Sequence, residues 1–209
     1  MNHLLNEEQF PAGFLPAWFE ARRRHALEQA EQLPEPSRHM ESWRFGAPGN
    51  ESLEHVEAAP PAAPETLAPI IRERASMPEA LRIVYANGLP VSIPEELPEG
   101  LSVMDMEDFV LQCPDTARKY LETETETLGS EKLSALATAF QHNGLVIMAD
   151  REISLPLEIL HFISGDNVAV FPSTLLIAET GSRLRILERH ISACLLYTSD
   201  AADDSLRVD

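Results

Sequence analysis

The sequence predicts an α+β fold, in which a region of helices and extended loops precedes a series of short strands. Two observations lead to this prediction. Thirteen of the 16 prolines lie in residues 1–100, and proline does not fit within long helices or central strands. After Gly144, short apolar segments rich in β-branched residues alternate with polar breaks of two to five residues, a pattern typical of closely spaced strands.

The first predicted helix spans residues 16–33. Pro16 suits the first helical position, Pro34 ends the helix, and Arg22 and Arg23 are expected to lie outside its apolar stripe. That stripe consists of Leu15, Phe19, Ala26, Ala30 and Leu33. The segments expected to follow are a loop at 34–50 and an extended, proline-rich connector near 58–69.

A β-hairpin is predicted at residues 81–93. Asn87 and Gly88 form a favoured tight turn between two short β-rich segments. Pro90 cannot donate a backbone hydrogen bond, so it places the second strand at the edge of a sheet.

Three more helices are predicted before Gly144. Two short ones span residues 106–112 and 115–121, and a longer one spans 130–143. Ser130 is a good N-cap for the longer helix, and Gly144 follows a good C-terminal stop. The apolar face of this helix is made by Leu133, Leu136, Ala137 and Phe140, at the spacing i, i+3, i+4 and i+7.

The segment after Gly144 predicts strands, because it shows no helical period of useful length. Several of the strands are apolar on both faces, as at residues 174–178. Strands this short and evenly spaced fit a sandwich, a barrel or a β-solenoid, and periodicity does not choose among the three. The predicted strands are 145–149, 153–155, 157–163, 168–171, 174–178 and 184–187.

The charge balance of the chain excludes several classes of function. Its 34 acidic residues outnumber the 16 lysines and arginines and give a formal charge of −18. Nucleic acids and anionic membrane surfaces are bound by clustered basic residues, so neither is an expected partner. The N-terminus lacks the features of a signal peptide, and two cysteines are too few for a disulfide framework. We therefore expect a cytoplasmic protein with reduced thiols.

Known catalytic motifs are missing from the sequence. It contains no phosphate-binding loop, no dinucleotide fingerprint, no serine nucleophile elbow and no CxxC or HExxH motif. The sequence therefore assigns no catalytic residue and no metal ligand, and it leaves any cofactor-binding residue unknown.

Four positions nevertheless carry side chains capable of chemistry. Glu188 and His190 stand at i and i+2, on one face of a strand, where they could help to bind a metal or move a proton, or simply form a solvated strand pair. His161 is either a ligand or a hydrogen-bonded histidine of a half-buried strand. Cys113 is expected to be structural, because a reactive thiol needs a more electropositive neighbourhood.

Four segments, in order along the chain, carry a family resemblance. They are the first helix with Trp18, Arg22, Arg23 and Ala26 followed by Glu41-Ser42-Trp43-Arg44-Phe45; residues 83–88, which end in Asn-Gly; residues 133–144; and residues 171–179 with 187–190. Together these segments resemble the motifs of the SufB/SufD family of iron–sulfur cluster assembly scaffold proteins. Departures at Gly46, Ala137 and Ser173 fit the SufD branch better than the SufB branch.

The resemblance implies a fold and a domain organisation. Residues 1–143 would form an N-terminal α/β region, and residues 144–192 would form the first coils of a right-handed parallel β-helix that is truncated here. Residues 193–209 turn abruptly polar and acidic and resemble translated sequencing-adapter read-through. We therefore expect an N-terminal fragment with a non-native tail, which is left out of fold reasoning.

The resemblance also implies a function. The chain would be a non-catalytic subunit that works with SufB-like and SufC-like proteins, of which SufC hydrolyses the nucleotide. A nascent Fe–S cluster would be held only transiently on the full complex, and its ligands would follow residue 192.

Three alternatives remain at this stage. One is the SufB paralogue, and another is a plain β-rich interaction module. The third is a β-helix carbohydrate-active enzyme, which would need a pair of carboxylates on one face of the fold. The candidates for such a pair are Glu152, Glu158, Glu179 and Glu188.

Overall fold

The computed structural model describes residues 5–10, 15–44, 56–62, 77, 79–122, 130–141 and 144–192. The helices in these ranges are α1 (Ala17–Gln32), α2 (Met106–Gln112), α3 (Pro114–Leu121) and α4 (Glu131–Ala139). The strands are β1 (Glu57–Ala58), β2 (Leu81–Ala86), β3 (Leu89–Ser92), β4 (Leu101–Asp105), β5 (Leu145–Ala149), β6 (Leu157–Ile163), β7 (Val168–Ala169), β8 (Thr174–Ala178) and β9 (Ile186–Ser192). The predicted tail at 193–209 and much of the proline-rich connector lie outside the described residues.

The strands form three small sheets. One has the order β3-β2-β6-β9, the second β4-β5-β8, and the third is the pair β1-β7. Strand β2 pairs antiparallel with β3 and parallel with β6, which in turn pairs parallel with β9. Strand β5 pairs antiparallel with β4 and parallel with β8. The two larger sheets are therefore mixed.

The predicted right-handed parallel β-helix is wrong for the described residues. Their strands divide among three small sheets, and two of these sheets contain an antiparallel pair. An antiparallel neighbour reverses the chain direction, so stacked parallel rungs do not account for these sheets. One two-faced apolar strand has another cause, since β6 is central in its sheet and buried on both faces along most of its length. Strand β8, at residues 174–178, is instead partly exposed at the edge of its sheet among the described residues.

The main core lies between the two larger sheets. Ile83 and Tyr85 of β2 and Ile159 of β6 pack in one cluster with Leu145 and Ile147 of β5. All five side chains are at most 1% exposed. Burial of such side chains contributes about 1.5–3 kcal/mol each to stability, so this contact fixes the inner face of both sheets.

Helices α1 and α4 pack against each other through a second core and through two basic side chains. Arg23 Nε of α1 donates to the Ala139 carbonyl at 2.9 Å, and Lys132 Nζ of α4 donates to the Ala30 carbonyl at 2.9 Å. Each cation thus satisfies a carbonyl at the C-terminal end of the other helix. The expectation that Arg23 lies outside the buried stripe is wrong, since its exposure is 0%.

Most local predictions are confirmed. All four predicted helices are present, and Ser130 Oγ caps α4 by accepting from the Leu133 N–H at 3.2 Å. Helix α4 ends at Ala139, earlier than predicted. The hairpin is present, with Asn87 and Gly88 at φ of 49° and 80°, and its second strand β3 is a sheet edge.

The strand predictions differ from the structure in several places. The predicted strand 168–171 is present only as Val168–Ala169, and strand β1 was not predicted. Residues 153–155 form no strand, and the neighbouring Glu152 makes only an isolated bridge to Arg183. The last strand begins at Ile186 and extends to Ser192, beyond the predicted end. Strand β4 was not predicted. The predicted domain boundary after residue 143 stays a prediction, although strands from both sides of it share the two larger sheets.

Candidate functional site

The candidate site lies on the inner face of the sheet β3-β2-β6-β9. Side chains of β2, β6 and β9 stand in rows across this face, because the three strands are parallel and in register. The rows begin apolar and become polar toward one end of the sheet. They are Leu81–Leu157–Ile186, Ile83–Ile159–Glu188 and Tyr85–His161–His190.

His161, Glu188 and His190 form the polar end of these rows. His161 Nε2 lies 2.7 Å from Glu188 Oε1, and the His161 and His190 rings stack with centroids 4.8 Å apart and planes 9° apart. One potential ligand atom from each of the three side chains lies within 4.8 Å of the others. The i, i+2 spacing correctly placed Glu188 and His190 together, and strand pairing adds His161.

Two further residues surround this cluster. Thr174 of β8 donates its hydroxyl proton to Glu188 Oε1 at 3.0 Å, which links the two larger sheets. The ring of Tyr85 lies 5.6 Å from the His161 ring. Burial, followed by the charge of Asp105, raises the pKa of Tyr85, so the phenol stays protonated. Neither residue is recognisable from the sequence as part of the site, because both contacts join strands that are distant in the chain.

The cluster is buried on one side and open on the other. His161 is 3% exposed, whereas Glu188 and His190 are exposed. This difference follows from topology, since β6 has a neighbour on each side and β9 is an edge strand among the described residues. The site is therefore anchored at His161 and accessible from solvent at His190.

The surroundings favour an ionised carboxylate and a neutral imidazole. The hydrogen bond from His161 lowers the pKa of Glu188 and outweighs the opposing effect of burial, with a further contribution from Thr174. Burial, followed by the neighbouring His161, lowers the pKa of His190. Near neutral pH, both groups are thus in the protonation state in which they can donate an electron pair to a metal ion.

A second charged cluster lies on the opposite face of the same sheet. Glu158 is 0% exposed, and its carboxylate lies 2.9 Å from Arg82 Nη2 and 3.5 Å from Arg189 Nη1. Because Glu158 and Glu188 point to opposite faces, they do not form the carboxylate pair that a glycosidase needs. The Glu158 cluster is a structural ion-pair network.

The remaining sequence candidates lie elsewhere. Cys113 connects α2 to α3 and is partly buried. Trp18 packs edge-on against Phe19, and the Arg118 guanidinium lies 5.0 Å from its ring centroid. These residues are distant in the fold from the rows of β6 and β9, and the structure gives them packing roles.

A search of the described helices for membrane spans found none with the length and apolar character to cross a bilayer.

Comparison with known proteins gives similarity to iron–sulfur cluster assembly proteins. The chain is 25% identical over 187 residues to the iron–sulfur cluster assembly protein SufD of Bacillus subtilis, a match that covers 85% of this chain and 42% of the relative. It is 31% identical over 111 residues to iron–sulfur cluster assembly SufBD family proteins of Mycobacterium bovis and Mycobacterium tuberculosis.

The coverage of these matches is uneven. The mycobacterial matches cover 52% of this chain and 13% of each relative, so the chain spans less than half the length of each relative described. No protein-family model matches the chain. The chain is therefore similar to iron–sulfur cluster assembly proteins of the SufD and SufBD types over part of their length.

Proposed function

We propose that this chain is part of a SufD-type subunit of an iron–sulfur cluster assembly complex. In this proposal it has no catalytic activity of its own and works in the cytoplasm with a SufB-like protein and a SufC-like ATPase. The Fe–S cluster is the cargo of the assembled complex and is held only transiently. The observation that carries the proposal is the 187-residue similarity to SufD, which extends over 85% of this chain.

The structure supports this proposal in two ways. Glu158, a candidate for glycosidase chemistry, is buried and forms ion pairs with Arg82 and Arg189. The Asn87-Gly88 turn, one of the segments that carry the resemblance, joins β2 to β3 and bonds to segments beyond its own hairpin. One of the segments that carry the resemblance thus connects the hairpin to two other parts of the fold.

The test is co-expression of the tagged chain with the SufB-like and SufC-like proteins encoded in the same genome. Both partners are expected to co-purify with the chain. Because a charge of −18 attracts basic proteins without specificity, the washes contain about 0.3 M NaCl, at which surface charges are largely screened. A tagged, unrelated protein of similar size and charge is the control.

Two outcomes would overturn the proposal. If neither partner is retained above the acidic control, the chain is not a subunit of this complex. If a SufD-like protein is retained in place of the SufB-like one, the chain belongs to the SufB branch. ATP hydrolysis by the purified chain alone would contradict the absence of catalysis.

A further inference from the structure

We propose that His161, Glu188 and His190 form a binding site for one divalent transition-metal ion. Two imidazoles and one carboxylate are a ligand set that suits Zn²⁺ and Fe²⁺. This site does not depend on the proposed function, and it departs from the sequence analysis, which assigned no metal ligand.

The three ligand atoms already lie close to the separations that a bound ion would require. The three ligand atoms lie within 4.8 Å of one another. An ion bound at about 2.0–2.1 Å in tetrahedral geometry separates its ligand atoms by about 3.4 Å. Closing the cluster around an ion therefore requires side-chain shifts of about 1 Å, which rotation of the exposed Glu188 and His190 side chains can supply.

The surroundings hold two of the ligands in place before an ion arrives. Thr174 donates to Glu188 Oε1 at 3.0 Å, the kind of outer contact that orients a metal-binding carboxylate. His161 is fixed by burial, by the 2.7 Å contact with Glu188 and by stacking on His190. An ion bound at both Nε2 and Oε1 would replace the hydrogen bond between these two atoms, and the neutral imidazole would then carry its proton on Nδ1.

His161 also has an unsatisfied ring nitrogen. Its Nδ1 is buried and has no hydrogen-bond partner among the described residues. A buried histidine with a purely structural role usually satisfies both nitrogens, so hydrogen bonding among the described residues does not fully account for this imidazole.

The open side of the site completes the coordination. Glu188 and His190 are exposed on the edge strand β9. Water, or a ligand from another molecule, can therefore occupy the remaining positions, as in sites that exchange or activate their metal.

The chain supplies a matched control pair. His25 and Glu28 on α1 also place an imidazole nitrogen near a carboxylate oxygen, at 3.9 Å, but both are exposed and have no third ligand near them among the described residues. If any exposed His–Glu pair sufficed, the two sites would behave alike.

The experiment is titration of the tag-free full chain with Co²⁺, followed by visible absorption, and with Zn²⁺, followed by calorimetry. Fe²⁺ is titrated without oxygen. We expect one ion per chain, displacement of Co²⁺ by Zn²⁺, and loss of at least about 100-fold in affinity in Glu188→Gln and in His190→Ala. The double variant H25A/E28Q is expected to bind as the parent chain does.

Variants of all three proposed ligands separate a loss of metal binding from a failure to fold. Glu188→Gln and His190→Ala change exposed side chains, and circular dichroism checks that both fold. His161→Gln tests the buried ligand, and if it does not fold the other two variants decide. The absence of saturable uptake by the parent chain, or equal uptake by the parent chain and both exposed variants, would overturn the metal site. Neither result would affect the co-purification of protein partners.

Discussion

The contact between His161 and Glu188 places an ionisable pair at the end of otherwise apolar rows of side chains. On the inner face, Ile83 and Ile159 precede Glu188 in one row. A carboxylate in such a row is stabilised by the hydrogen bonds from His161 and Thr174, because an unpaired charge there would lose its hydration without compensation. Protonation at these residues therefore affects stability.

We expect acid to lower the stability of the fold through this cluster. The pKa of Glu188 is lowered from 4.5, so its contribution is present above pH 4.5 and is lost as the pH falls through its folded value. The pKa of His190 is lowered from 6.5, so the fold disfavours its protonated form and loses stability as the pH falls below 6.5. Urea denaturation in EDTA measures the His190 effect between pH 7.5 and about 5, and its extension to about pH 2.5 measures the Glu188 effect.

Two variants test whether His190 causes the loss of stability in acid. His190→Ala is expected to reduce the loss of stability that begins near pH 6.5, while His25→Ala, at an exposed helix position, is expected to leave it unchanged. An unchanged pH profile in His190→Ala would show that other groups cause the acid sensitivity.

The turn of the hairpin β2–β3 also connects distant parts of the fold through the side chain of Asn87. Asn87 Nδ2 donates to the carbonyls of Pro60 and Ser164 at 2.7 and 3.0 Å, and its Oδ1 accepts from the Ser164 N–H at 2.9 Å. One turn residue thus connects the hairpin to the segment after β6 and to the segment after β1. The side chain, as well as the backbone conformation, selects asparagine here.

Substitution of Asn87 by alanine is expected to destabilise the fold by about 1.5–4.5 kcal/mol through its hydrogen bonds. Each of the three lost hydrogen bonds contributes about 0.5–1.5 kcal/mol, and alanine adopts a positive φ less readily than asparagine does, which adds a smaller backbone cost. Urea denaturation measures the change.

Asn167 is the matched control for this substitution. It also has a positive φ, of 55°, but it is exposed. Asn167→Ala should therefore cost only the smaller backbone part, which comes from the lower tolerance of alanine for a positive φ. Equal losses in the two variants would mean that the hydrogen bonds of Asn87 contribute nothing to stability.

At the scale of the whole molecule, charge repulsion dominates the surface electrostatics. The chain carries a net −18, and several described ion pairs are exposed, such as Arg24–Glu7 at 3.6 Å and Arg183–Glu152 at 3.6 Å. An exposed pair contributes at most about 1 kcal/mol. Repulsion among the excess carboxylates therefore outweighs these attractions, and the folded state suffers more than the expanded unfolded state.

We expect sodium chloride to raise the thermal unfolding midpoint. Increasing the salt from about 0.01 M to about 0.1 M shortens the screening length from about 30 Å to about 10 Å, which weakens repulsion between distant carboxylates. Differential scanning calorimetry in EDTA measures the midpoint, with sucrose as an uncharged control solute. A midpoint that falls with salt would mean that the ion pairs outweigh the repulsion.

The amino-acid sequence by itself determined the local elements of this protein. The four helices, the Asn87-Gly88 hairpin and the strands β5, β6 and β8 were predictable, because caps, tight turns and apolar periodicity depend on neighbours within a few residues. The sequence also determined that Glu188 and His190 share a face, since that follows from the two-residue period of a strand.

The tertiary structure alone decided how these elements combine. It divided the strands among small mixed sheets, buried Arg23 against the end of another helix and brought His161 and Thr174 to Glu188. Parallel pairing and helix packing join residues that are far apart in the chain. The local periodicity of the sequence does not indicate which distant strand will pair with a given strand. The candidate site depends on that choice, because its three ligands come from two strands paired in one register.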